Sequence, residues 1–341
     1  MEPYAEVVAS YTSFAEEAGD SPCFVEWSLG VAGDPEVQRL IRTLPPVKQQ
    51  PNLVFAAARW HGAPAPGPYA GLRATLLERW SQVRETILAR STQTNEVGRL
   101  ATLLPAFATL GDRLHLIEVG ASAGLCLYPD TYRHEWVQYD DPTVMHHVGD
   151  GPVLTCRVSG PVPFPERMPQ VVSRAGIDLN PLDVTDADEM AWLANLVWPE
   201  QDARRARLAA AIDVARQDPP NLARGNLLDA LPRLLDRAPD EGSGEKAVKV
   251  VFHSAVIAYL EEPDRRRFAA LMAGLVAEGR CHWVSNEGPN VLPGVTSTGP
   301  APTSPGFVLG IDGRSVAFTH GHGSTLRWHE PATLDARTVG S

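Results

Sequence analysis

The chain has 341 residues, 44% apolar and 21% charged, the balance of a globular protein with a sizeable core rather than of a disordered chain. A formal net charge of −11 argues against a binder of nucleic-acid backbones, which would present a basic face. No apolar run approaches the about 20 residues of a membrane span, and the opening "MEPYAEVVASYTSF" lacks the basic and apolar regions of a signal peptide. Cys23, Cys126, Cys156 and Cys281 form no CxxC pair, so neither a zinc site nor a disulfide framework is expected. A reducing cytoplasm is the expected setting.

The first 111 residues read as helical and are expected to form a cap region. "DPEVQRLI" and "NLVFAAARW" are expected helices opened by the capping residues Asp34 and Asn52. Proline and glycine in "HGAPAPGPYAG" interrupt the pattern with a loop. From Leu72, apolar Leu76, Leu77, Trp80, Val83, Ile87 and Leu88 recur at helical spacing. Val97, Leu100, Ala101 and Leu104 predict a second helix that Gly111 ends.

From residue 112 strand-like runs alternate with amphipathic helices, which predicts a mostly parallel α/β sheet over 112–341. The runs are "LHLIEVG", "AGIDLN", "VKVVFHS" and "CHWVSNE". The helical stretches are "DADEMAWLANLVW" with "DARRARLAAAIDVAR", then "LLDALPRLLDR", then "PDRRRFAALMAGLVAEG". Arg265, Arg266 and Arg267 fall in the last as a solvated face. Residues 132–160 predict an inserted β-hairpin turning near "GDG", and 307–328 a terminal antiparallel hairpin.

Each strand candidate ends in polar residues. They are Glu118 with Gly120, Asp178 with Asn180, His253 with Ser254, and Ser285, Asn286 and Glu287. In an open α/β sheet the carboxyl ends of the strands form the ligand crevice, so these groups are expected to converge. In "IEVGASAGL", Gly120 and Gly124, with Ser122 between them, let the backbone pass close to a ligand and are expected to start a helix. The spacing E-x-G-x-x-x-G is neither the dinucleotide fingerprint nor a phosphate-binding P-loop. Glu118 would repel a pyrophosphate but could receive an ammonium group or a hydroxyl.

That turn resembles motif I of the class I S-adenosylmethionine (SAM) dependent methyltransferases, and "GIDLNP", residues 176–181, resembles their ribose-binding strand end. The resemblance implies that Asp178 accepts hydrogen bonds from both ribose hydroxyls, with Asn180 beside it; the alternative is that both cap the following segment. "ARGNLLDALPRLL" resembles the adenine-recognition segment, with Asn226 at the key position, and "VVFHSAVIAYL" the strand beneath the transferred group. The likeness covers about residues 112–290. Over nearly its full length the chain is also similar to a bacterial family of uncharacterised proteins, through stretches such as "TQTNEVGRLATLLPAF", "WLANLVWPEQ" and "SNEG". The implied fold is a class I methyltransferase-like (Rossmann-like) α/β sheet with an N-terminal helical cap, an inserted β-hairpin and a C-terminal antiparallel hairpin. Glu118 and Asp178 lie 60 residues apart, against about 20 in a simple βαβ unit. The insertion accounts for the surplus, unless "HEWVQYDD" is the second strand and Asp140 or Asp141 is the ribose acid.

Gln93, Asn95 and Arg99 of "TQTNEVGR" have two readings. They either cap a helix and form a surface ion pair, or overhang the glycine turn, with Arg99 gripping the cofactor's carboxylate in a fork. In the second reading Gln93 and Asn95, with Ser254 and Asn286, face the substrate. His253 is the candidate general base, its alternative being a hydrogen-bonded core histidine. Glu287 is the candidate for positioning a substrate amine or hydroxyl, or else a loop ion pair. His320 and His322 would share a face if extended, with His329 nearby, but no further ligand has metal-site spacing and no metal is expected. His146 and His147 read as hairpin residues, and Ser254 follows no G-x-S-x-G elbow.

The expectation is a cytoplasmic SAM-dependent enzyme acting on a small molecule, with methyl transfer as the default and with neither nucleic acid nor membrane as partner. The helical cap would close one side of the crevice. Aminopropyl transfer, internal cyclisation, an NAD(P)-dependent oxidoreductase and a non-catalytic SAM-binding module are the alternatives.

Overall fold

A computed structural model of the protein describes residues 5–93, 95–237, 246–302 and 306–329. The chain opens with α1 (Ala5–Glu17), α2 (Pro22–Ala32), α3 (Pro35–Ile41), α4 (Pro51–Trp60), α5 (Tyr69–Ala89) and α6 (Leu100–Ala108). There follow β1 (Arg113–Val119), β2 (Arg133–Gln138), β3 (Met145–Val148), β4 (Val153–Ser159) and β5 (Gln170–Asp178). Next come α7 (Ala187–Asn195), α8 (Asp202–Gln217), β6 (Asn221–Arg224), α9 (Leu227–Arg237) and β7 (Val248–Ser254). The last elements are α10 (Glu262–Ala277), β8 (His282–Glu287), α11 (Pro293–Thr296), β9 (Phe307–Ile311), β10 (Arg314–Thr319) and β11 (Thr325–Trp328).

Two units divide these elements. The helical unit takes residues 1–94 and 186–209, and the α/β unit residues 95–185 and 210–341. The sequence-based boundary at 111 therefore moves, for a physical reason at each end. The α6 stretch is apolar on all sides, with Leu100 to Phe107 wholly buried. It belongs with the sheet: Phe107 meets Phe252 edge-on at 5.2 Å, and Trp136 donates its indole N–H to the Ala101 carbonyl. Residues 186–198 instead join the helices. Trp192 donates to the Ser91 carbonyl and packs edge-on against Trp60, while Asn195 donates to the Ala56 carbonyl.

Within the helical unit, Asp34 caps α3 as its sequence predicts, accepting from the Glu36 and Val37 amides. Asn52 does not cap α4. That helix begins at Pro51, whose ring suits the first helical position, and the Asn52 side chain accepts from the Trp198 indole. The core of this unit gathers Tyr11, Phe24, Trp27 and Phe55 in edge-on and stacked contacts, the geometries aromatic rings prefer.

The α/β unit carries an 11-stranded, mostly parallel sheet in the order β3-β2-β4-β11-β10-β9-β8-β7-β1-β5-β6. β6, β5, β1, β7 and β8 are mutually parallel. The direction in which strands are added reverses between β1 and β7, the place where an open sheet leaves a crevice beyond its carboxyl ends. β9, β10 and β11 then run antiparallel in succession, so the terminal hairpin is in fact three strands. The insertion also has three: β2 pairs antiparallel with β3 and parallel with β4. Its hairpin turns at residues 139–144 rather than at "GDG", because the Asp141 carboxylate accepts from both the amide and the hydroxyl of Thr143. Those bonds hold its carboxyl below the usual range. "GDG" instead links β3 to β4, with Gly149 and Gly151 at positive φ.

Six strands lie between β2 and β1, whereas β5 lies directly beside β1. Asp140 and Asp141 are thereby removed as partners of Glu118, and Asp178 is the acid on the adjacent strand. Arg266 and Arg267 pair with Glu262 and Asp264 on the exposed face of α10, the solvated face expected of them.

Candidate functional site

The turn after β1 is built by backbone left-handedness. Gly120, Ser122 and Gly124 all have positive φ, at 70°, 51° and 70°. The amides of Gly120 and Ala121 donate to the Ile177 carbonyl, and the Ser122 amide donates to Asp178 Oδ2 at 2.8 Å. The other oxygen of Asp178 accepts from the Asn180 amide at 2.7 Å. Asp178 thus ties the end of β5 to the turn and is only half-buried. After β7, Ala255 also has positive φ, at 57°. A non-glycine residue in that region is strained, and two such residues flank this one crevice.

The expected helix after the turn is absent. Two 3-10 turns, Leu125–Leu127 and Pro129–Thr131, lead directly into β2. Gly124 is left-handed and Pro129 has no amide proton to continue a helix, so no helix dipole faces a ligand here. The close approach that Gly120 permits is also made by the protein. A Cβ at Gly120 would strike the Val256 side chain, and one at Gly124 would meet Pro220 and Leu222.

Glu118, at the end of β1, is 8% exposed. Among the described residues nothing donates a hydrogen bond to it, and its Oε2 is fully buried. Burial first, and the neighbouring Asp178 second, push its carboxyl well above the usual carboxylate range, partly countered by Arg99. Two more buried polar atoms here lack partners, Ser122 Oγ and Asn95 Nδ2. The Oδ1 of Asn95 accepts from the Leu125 amide at 3.4 Å, which places its side chain against the glycine turn. A buried acceptor, hydroxyl and amide without partners at one set of strand ends are the residues a polar ligand would satisfy.

Arg99 is buried and clamps the site from the other side. Its Nε donates to the Gly321 carbonyl at 2.7 Å and its Nη1 to the Ser254 carbonyl at 2.8 Å, with the guanidinium over the Phe307 ring. Two of its three nitrogens therefore hold main chain, and the full fork expected for a ligand carboxylate is not available; Nη2 remains. The loop carrying it lies backbone to backbone on the "HGHG" turn: a Cβ at Gly323 would strike the Gly98 main chain, and one at Gly98 the His322 carbonyl. Gly323→Ala is expected to cost about 2–4 kcal/mol through this collision and its positive φ, measured by denaturant unfolding. His320 and His322 lie in this turn and not on a strand, and the His322 amide donates to the His320 ring. No group of three or more metal-binding side chains occurs among the described residues.

The general-base assignment of His253 is corrected by its surroundings. The residue is 0% exposed. The Trp283 indole N–H donates to its Nε2 at 2.9 Å, and since indole nitrogen only donates, Nε2 carries no proton. Nδ1 therefore carries the ring proton and donates it to Glu287 Oε1 at 2.7 Å. Neither nitrogen is left to take a proton from a substrate. Glu287 Oε1 also accepts from the Val256 and Ile257 amides at 2.9 and 3.1 Å. It thus fixes the loop that abuts Gly120, which makes it a positioning residue. Sequence reasoning missed Trp283. Strand alternation offered the signal, because Trp283 and Glu287 share one face of β8 around Ser285, the register partner of His253.

Asn286 is likewise occupied. It donates to Ser254 Oγ at 2.9 Å, accepts from the Thr319 hydroxyl at 2.7 Å and is 0% exposed, so it ties β7, β8 and β10 together and is not open to substrate. Ser254 remains half-buried at the rim. Asn180 Oδ1 accepts from Arg224. Asn226 caps α9, its Oδ1 accepting from the Leu228 amide at 2.9 Å, which leaves only its amide nitrogen for an adenine edge. Gln93 belongs to the helical unit.

A family model described as an uncharacterised protein conserved in bacteria (DUF2332) matches residues 8–328. No curated protein and no solved structure matches the chain.

Proposed function

Because the chain belongs to that bacterial family of uncharacterised proteins, its own site carries the functional reading, and we propose that the crevice at the ends of β1, β5 and β7 binds SAM in a Rossmann-like, class I methyltransferase-like sheet. The observation that carries this is Glu118: a buried acid without a hydrogen-bond donor, at the end of a central strand, beside a left-handed glycine turn. An ammonium group suits it better than a pyrophosphate, since a cation favours the ionised carboxylate that burial disfavours, whereas an anion would disfavour it further. Ser122 Oγ and Asn95 Nδ2 supply the remaining polar contacts. Asp178 keeps lone pairs for ribose hydroxyls while it holds the Ser122 amide. Leu179 beside it is 72% exposed and Tyr259 beyond β7 is 83% exposed, offering apolar surface to a flat base.

SAM bound there would supply a carbon made electrophilic by its sulfonium, and methyl transfer to a small molecule is the default reaction. With His253 closed off, the chain contributes position and water exclusion rather than proton abstraction, which suffices for an acceptor that is already nucleophilic. The same closure favours, as a second reading, a module that binds SAM without turnover. Four buried cysteines that form no disulfide fit a reducing cytoplasm, and no helix among the described residues is long and apolar enough to cross a membrane.

Calorimetric titration with SAM and S-adenosylhomocysteine, with NAD and NADP alongside, tests the reading. Saturable SAM binding is expected, weakened in Asp178→Ala by about 1–3 kcal/mol through lost hydrogen bonds to a charged acceptor. A dinucleotide binding in preference to SAM would overturn it, as would binding of neither.

A further inference from the structure

A separate cavity of about 360 Å³ opens where β4, β10 and β11 meet, and nothing in the nucleoside reading uses it. Its size falls in the range of small-molecule sites. Tyr139, Phe318, Arg157 and Arg327 belong to its lining, while Val158 and Leu326, paired between them, are buried on the opposite face of the sheet. The parallel register of β4 and β11 sets Arg157 opposite Thr325 and Ser159 opposite Arg327. Residues two apart in paired strands share a face, so both arginines stand on the same side. Each is stacked: Arg157 lies 4.5 Å over the Tyr139 ring and Arg327 5.0 Å over the Phe318 ring.

Arg73, Arg266 and Arg280 meet carboxylates on the surface. Among the described residues the Arg157 side chain has neither an ion pair nor a hydrogen bond, and its contact there is with the Tyr139 ring. Stacking orders the planar guanidinium while its edge N–H groups stay free, and that edge matches the two oxygens of a carboxylate or phosphate. The flanking Tyr139 and Phe318 rings suit a flat body attached to the anion.

We propose that this cavity binds a small organic oxyanion, a carboxylate or phosphate carried on a flat body, with Arg157 as its principal charge partner. The site does not depend on the nature of the cofactor in the crevice, and SAM is not needed to test it.

The experiment uses the ¹⁵N-labelled full chain, titrated with benzoate, phenyl phosphate and, as the uncharged control, benzamide. The main-chain amide signals of Arg157 and Arg327 are expected to shift saturably with at least one of the two anions, and benzamide to bind weaker by about tenfold or more. Whichever anion binds tighter identifies the head group. Arg157→Gln is expected to lose a similar factor while the amide signals of the helical unit stay in place, and Arg327→Gln gives a second variant on the same face. Amide signals that do not respond to either anion would overturn the proposal. So would an equal response to benzamide, or anion binding that Arg157→Gln leaves intact.

Discussion

Glu118→Gln is expected to make the ligand-free protein more stable at neutral pH, by about 1.4 kcal/mol for each pH unit over which only the unfolded chain has ionised the carboxyl. Burial raises the Glu118 carboxyl well above the usual carboxylate range. The folded state therefore holds a proton over a span of pH in which the unfolded chain has released it. Stability rises with pH only where the unfolded state binds more protons, so this group makes the wild type lose stability as pH rises from the usual carboxylate range towards its raised folded value. Glutamine removes that loss, and the two proteins should converge at acid pH. Unfolding of both across a pH series reads the difference. The same variant should lose ligand affinity, because a neutral amide offers an ammonium group far less than a carboxylate does. Parallel stability curves for variant and wild type would mean that Glu118 is already satisfied in the protein.

His253→Ala is expected to act in the opposite direction, costing about 3–5 kcal/mol, as for breaking a buried, hydrogen-bonded pair by removal of one partner. The substitution leaves the Trp283 indole N–H without its acceptor and takes one of three donors from Glu287 Oε1. It also opens a void beside Phe268, whose ring meets His253 edge-on at 5.3 Å. Denaturant unfolding of the α/β unit measures the loss. A histidine serving as a general base would give the other pattern, near-normal stability with an altered pH–rate profile.

These two residues show where sequence was sufficient and where it was not. The strand candidates ending in Glu118, Asp178, His253 and Glu287 all form, and they lie side by side as β1, β5, β7 and β8, because a period-two or continuous apolar run bounded by polar residues is a local property. The capping role of Asp34 is equally local. What escaped depends on partners distant in sequence. His253 reads as reactive until Trp283, 30 residues on, occupies its free nitrogen. Gly120 reads as a ligand contact until Val256 fills the space in front of it. The segment 186–198 carries an ordinary amphipathic pattern, and only Trp60 and Ser91 decide that it packs with the helices. The shared face of Arg157 and Arg327 needed the β4–β11 pairing, which joins the insertion to the terminal strands.

The central claim is that Glu118 waits for a positively charged group. It is tested most directly by calorimetric titration of the wild type with SAM in buffers of different ionisation enthalpy, with Glu118→Gln in parallel. An ammonium group on Glu118 favours its ionised form, so the wild type should release a proton on binding, and its affinity should rise with pH until the carboxyl is already ionised in the free protein. In Glu118→Gln affinity should fall and residual binding should release no proton through this residue. SAM binding with equal affinity and equal proton release in both proteins would contradict the account and place the ligand elsewhere.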